Sequence, residues 1–452
     1  MLLERFEAKG LAHFSYLIGD GNEAAVIDPR RDAHVYIERA HRSGMGIRYV
    51  LETHRNEDYV IGSSELADSS GATVLHSGDD DLVYGYGEAI HDGEVLSVGR
   101  LRVEALHTPG HTLGHMSYLL HDPDGEPWIL FTGDTLFAGD VGRTDFYGED
   151  RLEEVTGLLY ESLFHKILPL GDELMVCPAH GPGSVCGTAI AERVWTTIGL
   201  ERKHNPKLQY TDRDAFVANV GAMLEYPPYF GMMETLNLKG APVMGSVPAV
   251  PPLAPYEFAA EATGAQVVDT RAELGFGAAH VPGALSIWES SLPKFAGWFL
   301  TYDRPILVVG ETNDVCGAVR HLMRMGYDNV AGFLAGGMLP WHTAGLASES
   351  IDMITVQDLC QRLDQDEEPW ILDVRSTAEV ERNRVPTAHH VHLTQLPERM
   401  DDILNGQRIY VFCGSGRRAT VAASLMQREG YDKLTVVLGG LAAWSSVSCP
   451  LE

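Results

Sequence analysis

Tyr49-Val-Leu-Glu-Thr-His54-Arg-Asn56-Glu-Asp58-Tyr59 is the stretch on which the reading of this chain turns. An apolar run of strand length ends at His54, and a dense group of polar side chains follows at once. The pattern recurs twice downstream. Leu101-Arg-Val-Glu-Ala-Leu106 leads into His107-Thr-Pro-Gly-His111-Thr112, and Trp128-Ile-Leu-Phe131 leads into Thr132-Gly-Asp134-Thr-Leu-Phe137. Glu23-Ala-Ala-Val-Ile-Asp28 is a further strand candidate. Short apolar runs that stop at chemical residues are what buried strands look like when their loops carry a site. Residues 152–168 read as a helix, with Val155, Leu158, Leu159, Leu163 and Ile167 as its apolar positions.

Farther along, Pro242, Pro248, Pro251, Pro252 and Pro255 crowd one segment. Proline has no amide donor, so the segment suits neither an interior strand nor a helix interior. It predicts an extended linker over 241–256, after a first domain over 1–240. Beyond it the chain repeats. Asp269-Thr-Arg271 recurs as Asp373-Val-Arg375, and Ile306-Leu-Val-Val-Gly310 as Ile409-Tyr-Val-Phe-Cys413. Gly326-Tyr-Asp328 recurs as Gly430-Tyr-Asp432, and Gly336-Gly337 with Trp341 as Gly439-Gly440 with Trp444. A nearly constant spacing of roughly a hundred residues marks two copies of one α/β domain, placed at 257–348 and 349–452. Alternating strands and helices predict a mainly parallel sheet covered on both faces in each.

Cys413-Gly-Ser-Gly-Arg-Arg418 lies between the strand candidate Ile409–Phe412 and a helix patterned by Val421, Ala422, Leu425 and Met426. Gly414, Ser415 and Gly416 let backbone amides turn toward the thiol, and a helix N-terminus adds positive potential. Arg417 and Arg418 add full charges. A cysteine so placed loses its proton readily and tolerates a negatively charged persulfide. Cys413, Arg417 and Arg418 are therefore candidate catalytic residues, and Gly414, Ser415 and Gly416 candidate binding residues. With the D-x-R and G-G-x-x-x-W landmarks, this loop resembles that of the rhodanese sulfurtransferases. In the first copy Gly310-Glu-Thr-Asn-Asp314 fills the same place. It holds no thiol, and its acids would repel an anion, so this copy resembles an inactive rhodanese useful for packing or positioning. Cys316, displaced from the matching position, is read as a small core residue.

The first domain resembles the metallo-β-lactamase superfamily and, within it, the persulfide dioxygenases. The resemblance lies in His54–Tyr59, His107–His111, Gly133–Phe137 and Gly142-Arg-Thr-Asp145-Phe146. It implies an αββα sandwich and one metal held by His54, His111 and Asp134. Two imidazoles, a carboxylate and open positions form the facial triad of non-haem Fe(II) oxygen chemistry, although zinc is compatible with the same ligands. Asn56 and Tyr59 stand where the superfamily has its second and third His. An amide is a weak ligand, and a phenol coordinates only once ionised, against an ordinary pKa of about 10. Asp58 and His180, in Pro178-Ala-His180-Gly181, survive from the second metal set. With no His at 59, that second position is expected to be empty, leaving Asp58 and His180 to hold water or orient substrate. Arg143 either grips a carboxylate of the thiol carrier or forms a structural salt bridge. His107 and His115 either steady the ligands from behind or satisfy local hydrogen bonds. Cys177 and Cys186 flank His180 and are read as structural, with Cys186 a secondary thiol candidate.

Two sulfur-compatible modules on one chain imply sulfane-sulfur chemistry. The resemblance implies a persulfide dioxygenase with one Fe(II) per chain, converting the persulfide of glutathione, coenzyme A or another small thiol to sulfite with O2. Cys413 would exchange sulfur among persulfide, sulfite and thiosulfate. One rival is a thioester hydrolase of the glyoxalase II type with a bridged metal pair. The other is a non-oxidising module that delivers sulfur to the rhodanese. The family resemblance is compatible with a homo-oligomer.

Composition narrows the rest. Over 452 residues, 45% hydrophobic and 21% charged side chains are ordinary for globular protein. A net charge of −29 argues against nucleic acid or anionic membrane as partner. No run approaches the roughly 18 apolar residues of a membrane span. The start, Met1-Leu-Leu-Glu-Arg-Phe-Glu7, is charged where a signal peptide is apolar. Cys177, Cys186, Cys316, Cys360, Cys413 and Cys449 form no C-x-x-C pair, so a cytoplasmic protein with reduced thiols is expected.

Overall fold

The computed structural model describes residues 1–193, 195–365 and 368–447. The chain divides into two compact units, Met1–Pro248 with Met323–Gly326, and Ala249–Leu322 with Tyr327–Glu452. Among the described residues, no helix is long and apolar enough to cross a membrane.

In the first unit, β1 (Leu2–Ala8), β2 (His13–Asp20), β3 (Glu23–Ile27), β4 (Gly46–Leu51), β5 (Thr73–Ser77) and β6 (Glu88–Ile90) form one sheet in that order. β1 to β3 pair antiparallel, and β3 to β6 parallel. A second mixed sheet holds β7 (Val95–Val98), β8 (Leu101–His107), β9 (Met116–His121), β10 (Pro127–Gly133), β11 (Met175–Pro178) and β12 (Thr196–Thr197). Ile18, Ile27, Val103, Tyr118 and Phe131 pack between the sheets. Tyr36 and Leu66 cover the outer face of the first sheet. Leu159, Leu163 and Phe216 cover the second. The result is the expected αββα sandwich. Each large apolar side chain buried this way contributes about 1.5–3 kcal/mol. The tyrosines do double duty, because a buried hydroxyl needs a partner. Tyr118 donates to the carbonyl of Glu52 at 2.8 Å and Tyr16 to that of Pro178 at 2.7 Å. Core packing thereby pins the ends of β4 and β11, where His54 and His180 begin their loops.

The expected helix over 152–168 is α-helical over Leu152–Glu161 and continues as a π turn over Ser162–Ile167. Ser162 Oγ donates to the carbonyl of Pro109 at 2.7 Å. A side chain at Gly110, where φ is +147°, would strike the backbone of Leu159. The glycine of His107-Thr-Pro-Gly-His111 is thus required by a helix that packs against the loop.

In the second unit the two copies share one topology. β13 (Pro252–Leu253), β14 (Gln266–Asp269), β15 (Leu285–Ser286), β16 (Ile306–Val309) and β17 (Val330–Leu334) lie in the order β13-β17-β16-β14-β15. β18 (Asp352–Thr355), β19 (Trp370–Asp373), β20 (His389–His390), β21 (Ile409–Phe412) and β22 (Leu434–Leu438) repeat it as β18-β22-β21-β19-β20. All these pairings are parallel. The proline-rich segment does not stay extended to its end. Pro252 enters an edge strand, where a missing donor is tolerated, and Pro255 opens the helix Pro255–Ala262.

The repeated landmarks are structural. Arg271 makes a bidentate pair with Asp269 and donates to the carbonyl of Ala279 at 2.8 Å. Arg375 pairs with Asp373 in the same way and donates to the carbonyl of Asn383 at 2.9 Å. Tyr327 donates to the carbonyls of Ala296 and Leu300, and Tyr431 to those of Met400 and Ile403. Trp341 and Trp444 are buried. Two cysteine expectations fail. Cys316 is exposed, because Val315 takes the inward position at the start of the helix Cys316–Arg324. Cys360 is disulfide-bonded rather than a reduced thiol, and Cys449 lies outside the described residues.

Arg375 is fully buried, so Asp373→Ala leaves a charge without its partner. Urea unfolding followed by fluorescence should show the transition of this copy destabilised by about 3–5 kcal/mol.

Candidate functional site

β4 carries Glu52, Thr53 and His54 to the end of the sandwich. Asp28, at the end of β3, has a left-handed backbone with φ +47°. Its carboxylate accepts from Thr53 N at 2.8 Å and from Thr53 Oγ1 at 2.7 Å. The same hydroxyl oxygen lies 2.8 Å from His54 Nδ1. With the hydroxyl hydrogen committed to carboxylate, the imidazole donates from Nδ1 and keeps its lone pair at Nε2. His111 reaches the same state by another route: Nδ1 lies 2.9 Å from the carbonyl of Arg143, which can only accept. Gly142 permits that approach, since a side chain there would strike Asp134 and His111.

Both Nε2 atoms face one carboxylate oxygen. Asp134 Oδ2 lies 3.4 Å from His111 Nε2 and 3.9 Å from His54 Nε2. The ligand atoms of these three buried residues all lie within 4.8 Å of one another. Among the described residues, neither Nε2 has a hydrogen-bond partner. Two buried lone pairs aimed at a carboxylate repel unless a cation lies between them. The donor set fits a divalent transition metal. Burial holds the His54 pKa well below its ordinary value, favouring the neutral ligand. Burial would raise the Asp134 carboxyl, yet His180, His111 and His54 hold it well below the carboxylate range.

His115 steadies this group from behind. Its Nε2 accepts from Asp134 N at 3.0 Å, and its Nδ1 meets the hydroxyls of Thr108 and Thr135 at 3.0 and 3.1 Å. Burial and the neighbouring His111 lower its pKa to about 3, so it stays neutral. His107 instead turns to the carbonyl of Leu113 at 2.8 Å.

Asp58, His180 and Cys186 form a second buried cluster with ligand atoms within 4.8 Å of one another. His180 Nδ1 lies 2.8 Å from Asp134 Oδ1, and Nε2 lies 3.0 Å from Asp58 Oδ2. Burial opposes the imidazolium, but Asp134 and Asp58 on either side lift the His180 pKa well above its ordinary value. Burial, then Asp58 and Asp134, push the Cys186 thiol well up. Burial likewise drives the Tyr59 phenol away from ionisation. Tyr59 stacks on His13 with ring centroids 3.9 Å apart. The Asn56 amide donates to the carbonyl of His54 at 3.2 Å.

Arg143 binds Asp145 through Nε and Nη2 at 2.6 and 2.7 Å, and Nη1 donates to the carbonyl of Glu225 at 3.2 Å. Its geometry is that of the structural salt bridge. Sequence reasoning passed over Asp28 and Glu57, and did not group Cys186 with Asp58 and His180. Glu57 pairs with Arg55 at 3.1 Å, while its buried Oε2 lies 3.7 Å from His111 Nε2. Its place inside the His54–Tyr59 loop was the one available signal. Cys186 lies six residues past His180, and only folding brings it back.

At the other site, Cys413 follows β21 and precedes the helix Arg417–Arg428. Its buried sulfur accepts from Gly416 N at 3.1 Å and from Ala419 N at 3.4 Å. Gly416 holds φ +110°, and Gly440 comes too close to Cys413 to carry a side chain. Arg418 forms a bidentate pair with Glu379 at 2.6 and 2.7 Å. The loop is thus a cradle of amides around a thiol, with Arg417 and Arg418 at its mouth. In the first copy Glu311 and Asp314 are exposed at the matching loop.

The sequence matches the metallo-beta-lactamase superfamily over residues 8–180 and the rhodanese-like domain over 255–344 and 355–447. It is 30% identical over 214 residues to the hydroxyacylglutathione hydrolase GloC of Haemophilus influenzae, covering 43% of this chain and 91% of that protein. The chain belongs to the metallo-beta-lactamase superfamily. It is also 30% identical over 220 residues to the mitochondrial persulfide dioxygenase ETHE1 of Bos taurus, covering 46% of this chain and 76% of that protein. The crystal structure of a metallo-beta-lactamase from Staphylococcus aureus subsp. aureus COL superposes with a TM-score of 0.67 at 28% identity. It covers 74% of this chain and 99% of that one. This superfamily member thus pairs a buried metal-ligand set with two rhodanese-like domains. The hydrolase and the dioxygenase stand equally far from it in sequence.

Removing the carboxylate behind His54 should loosen the metal without touching a ligand. Asp28→Ala is expected to weaken metal retention about 10- to 100-fold in chelator competition. Beside it, Glu52 is buried and accepts from Tyr86 OH at 2.8 Å, and burial pushes its pKa up to about 8. Its folded pKa is raised, so its contribution to stability is fully present below the ordinary carboxyl range and is lost as pH rises through 8. Urea midpoints measured between pH 5 and 9 should fall in the native protein and flatten in Glu52→Gln.

Proposed function

We propose that this protein oxidises the outer sulfur of a small thiol persulfide at a single metal held by His54, His111 and Asp134, and exchanges sulfane sulfur at Cys413. The observation that carries the reading is what stands at the second metal position. Tyr59 is buried, which drives its phenol away from ionisation, and both ring nitrogens of His180 are turned to carboxylates, Nδ1 to Asp134 Oδ1 at 2.8 Å and Nε2 to Asp58 Oδ2 at 3.0 Å. An imidazolium in that position would offset the charge that a second cation would otherwise offset. The identity to ETHE1 and the sulfur-cradling Cys413 loop support the same choice.

When bound, Fe(II) would supply a binding position for sulfur and the electrons that O2 requires. The surrounding residues set the conditions. Neutral His115 and the Asp28–Thr53 relay orient the ligands. Phe146 packs edge-on to His111 at 5.1 Å, and Tyr226 and Phe230 pack against Phe146, an apolar wall that limits water. Glu57 Oε2 is placed to hold the proton of an incoming persulfide. Overall, the persulfide, O2 and one water give the thiol, sulfite and two protons. The carrier is a small thiol such as glutathione or coenzyme A.

A second reading, a two-metal thioester hydrolase, is favoured by the Asp58–His180–Cys186 cluster and by the identity to GloC. Metal content and reaction distinguish the two. The proposed reading expects one iron per chain, with O2 uptake matched by sulfite on addition of glutathione persulfide. His111→Ala should abolish that uptake yet spare thiosulfate sulfurtransfer, and Cys413→Ser should do the reverse. Two tightly bound zinc ions and hydrolysis of a glutathione thioester, without O2 uptake, would sink it.

A further inference from the structure

The Cys413 loop opens into a cleft of about 510 Å³. Only part of its wall belongs to the copy that carries the thiol. Ser415, Arg417, Arg418 and Glu379 line one side, and Trp288, Lys294 and Phe295 of the thiol-less copy line the other. The charges on the two sides differ in availability. Arg418 is already neutralised by its bidentate pair with Glu379. Arg417 is about half exposed, lies 5.6 Å from the Trp288 ring, and has only a loose contact with Glu273 at 3.7 Å. Lys294 opens the buried turn of the helix Leu292–Phe299 toward solvent, beside the Phe295 ring at 5.7 Å. Among the described residues, no carboxylate forms an ion pair with it. Partial burial at the cleft lowers its pKa, Arg418 adds to this, and Glu379 opposes it. Two cations, one from each copy, therefore flank a cleft with an aromatic wall.

We propose that the thiol-less copy supplies half of the acceptor site for Cys413, with Lys294 and Arg417 together holding the oxyanion of a small anionic sulfur nucleophile such as sulfite. The inference rests on the sulfurtransfer reading of Cys413. The acceptor's sulfur lone pair attacks the outer sulfur of the Cys413 persulfide anion. A new S–S bond forms, the bond to Cys413 breaks, and the cysteine departs as thiolate into the amides of Gly416 and Ala419. With sulfite the product is thiosulfate; charge is conserved, and no external oxidant or reductant is required. A neutral thiol acceptor does not need the cation pair. This accounts for a copy that lacks a nucleophile and still faces the reactive loop.

The test uses the full chain. Cys413 is loaded with sulfur and its persulfide checked by intact mass. Transfer is then measured to sulfite and to neutral dithiothreitol. Lys294→Gln should raise KM for sulfite roughly three- to tenfold and leave dithiothreitol kinetics and persulfide loading unchanged. Lys294→Arg should restore KM. Added salt should raise the wild-type KM for sulfite and have a smaller effect in Lys294→Gln. An unchanged KM for sulfite in Lys294→Gln, with normal loading, would overturn the acceptor site while leaving sulfurtransfer intact. Absence of a Cys413 persulfide in the wild type would overturn both.

Discussion

Asp134 is the charge around which the first unit is built. It is fully buried, and its carboxylate faces three imidazoles while its amide meets a fourth. A buried anion is costly unless every neighbour compensates it. The arrangement meets that demand from several directions, with His180 donating to one oxygen and His115 accepting from the backbone. His54 and His111 direct Nδ1 away, toward Thr53 and the Arg143 carbonyl, and present Nε2 to the carboxylate, the tautomers that a shared cation requires. The positions of Asp28, Thr53, Gly142 and Thr108 all follow from fixing these tautomers. The sandwich core contributes through Tyr118 and Tyr16, whose hydroxyls hold the strand ends from which the ligands spring.

Much of this was legible in the chain. The run ending at His54 is a parallel strand covered on both faces, which must be apolar and short, and the run ending at His107 is an antiparallel strand that alternates buried and exposed positions. The D-x-R and G-Y landmarks gave the repeat because each encodes a buried polar contact that tolerates few alternatives. What stayed hidden depended on long-range packing. Nothing local to Cys186 says that its sulfur meets Asp58, and nothing local to Asp28 says that it lies behind His54. Cys316 was misread because a cysteine at a helix start has no periodicity to reveal its face; Val315 beside it settled which residue turned inward. Arg143 had two readings on sequence, and only the position of Asp145 chose between them.

The two rhodanese-like copies separate structural constraint from chemical constraint. Both keep the buried Asp–Arg pair, the tyrosine that ties a helix end, and the tryptophan near the last helix. These hold the parallel sheet and its crossovers together, and their loss would cost each copy its fold. The loop after the fourth strand is free of that burden. In one copy it is a glycine-lined thiol cradle, and in the other an acidic turn. The chemistry differs at a loop whose residues the fold does not fix.

The choice between one and two metals in the first unit comes down to charge. Asp58, Glu57 and Asp134 bring three buried carboxylates to the site, of which Glu57 is paired with Arg55. One divalent cation at His54, His111 and Asp134 already offsets Asp58 and Asp134, and any positive charge on His180 between those two carboxylates leaves no negative charge for a second cation, with Cys186 held as a neutral thiol. A second cation would require His180 to give up a proton that two carboxylates hold, and Cys186 to ionise against burial and two like charges. Neither is forbidden, since metal binding routinely expels protons. Each proton expelled nevertheless subtracts from the affinity of the second position; at the first, burial favours the neutral His54 ring, while against burial Asp134 and Glu57 raise the His111 pKa. Substituting Tyr59 for a histidine removes the one neutral ligand that could have offset that cost.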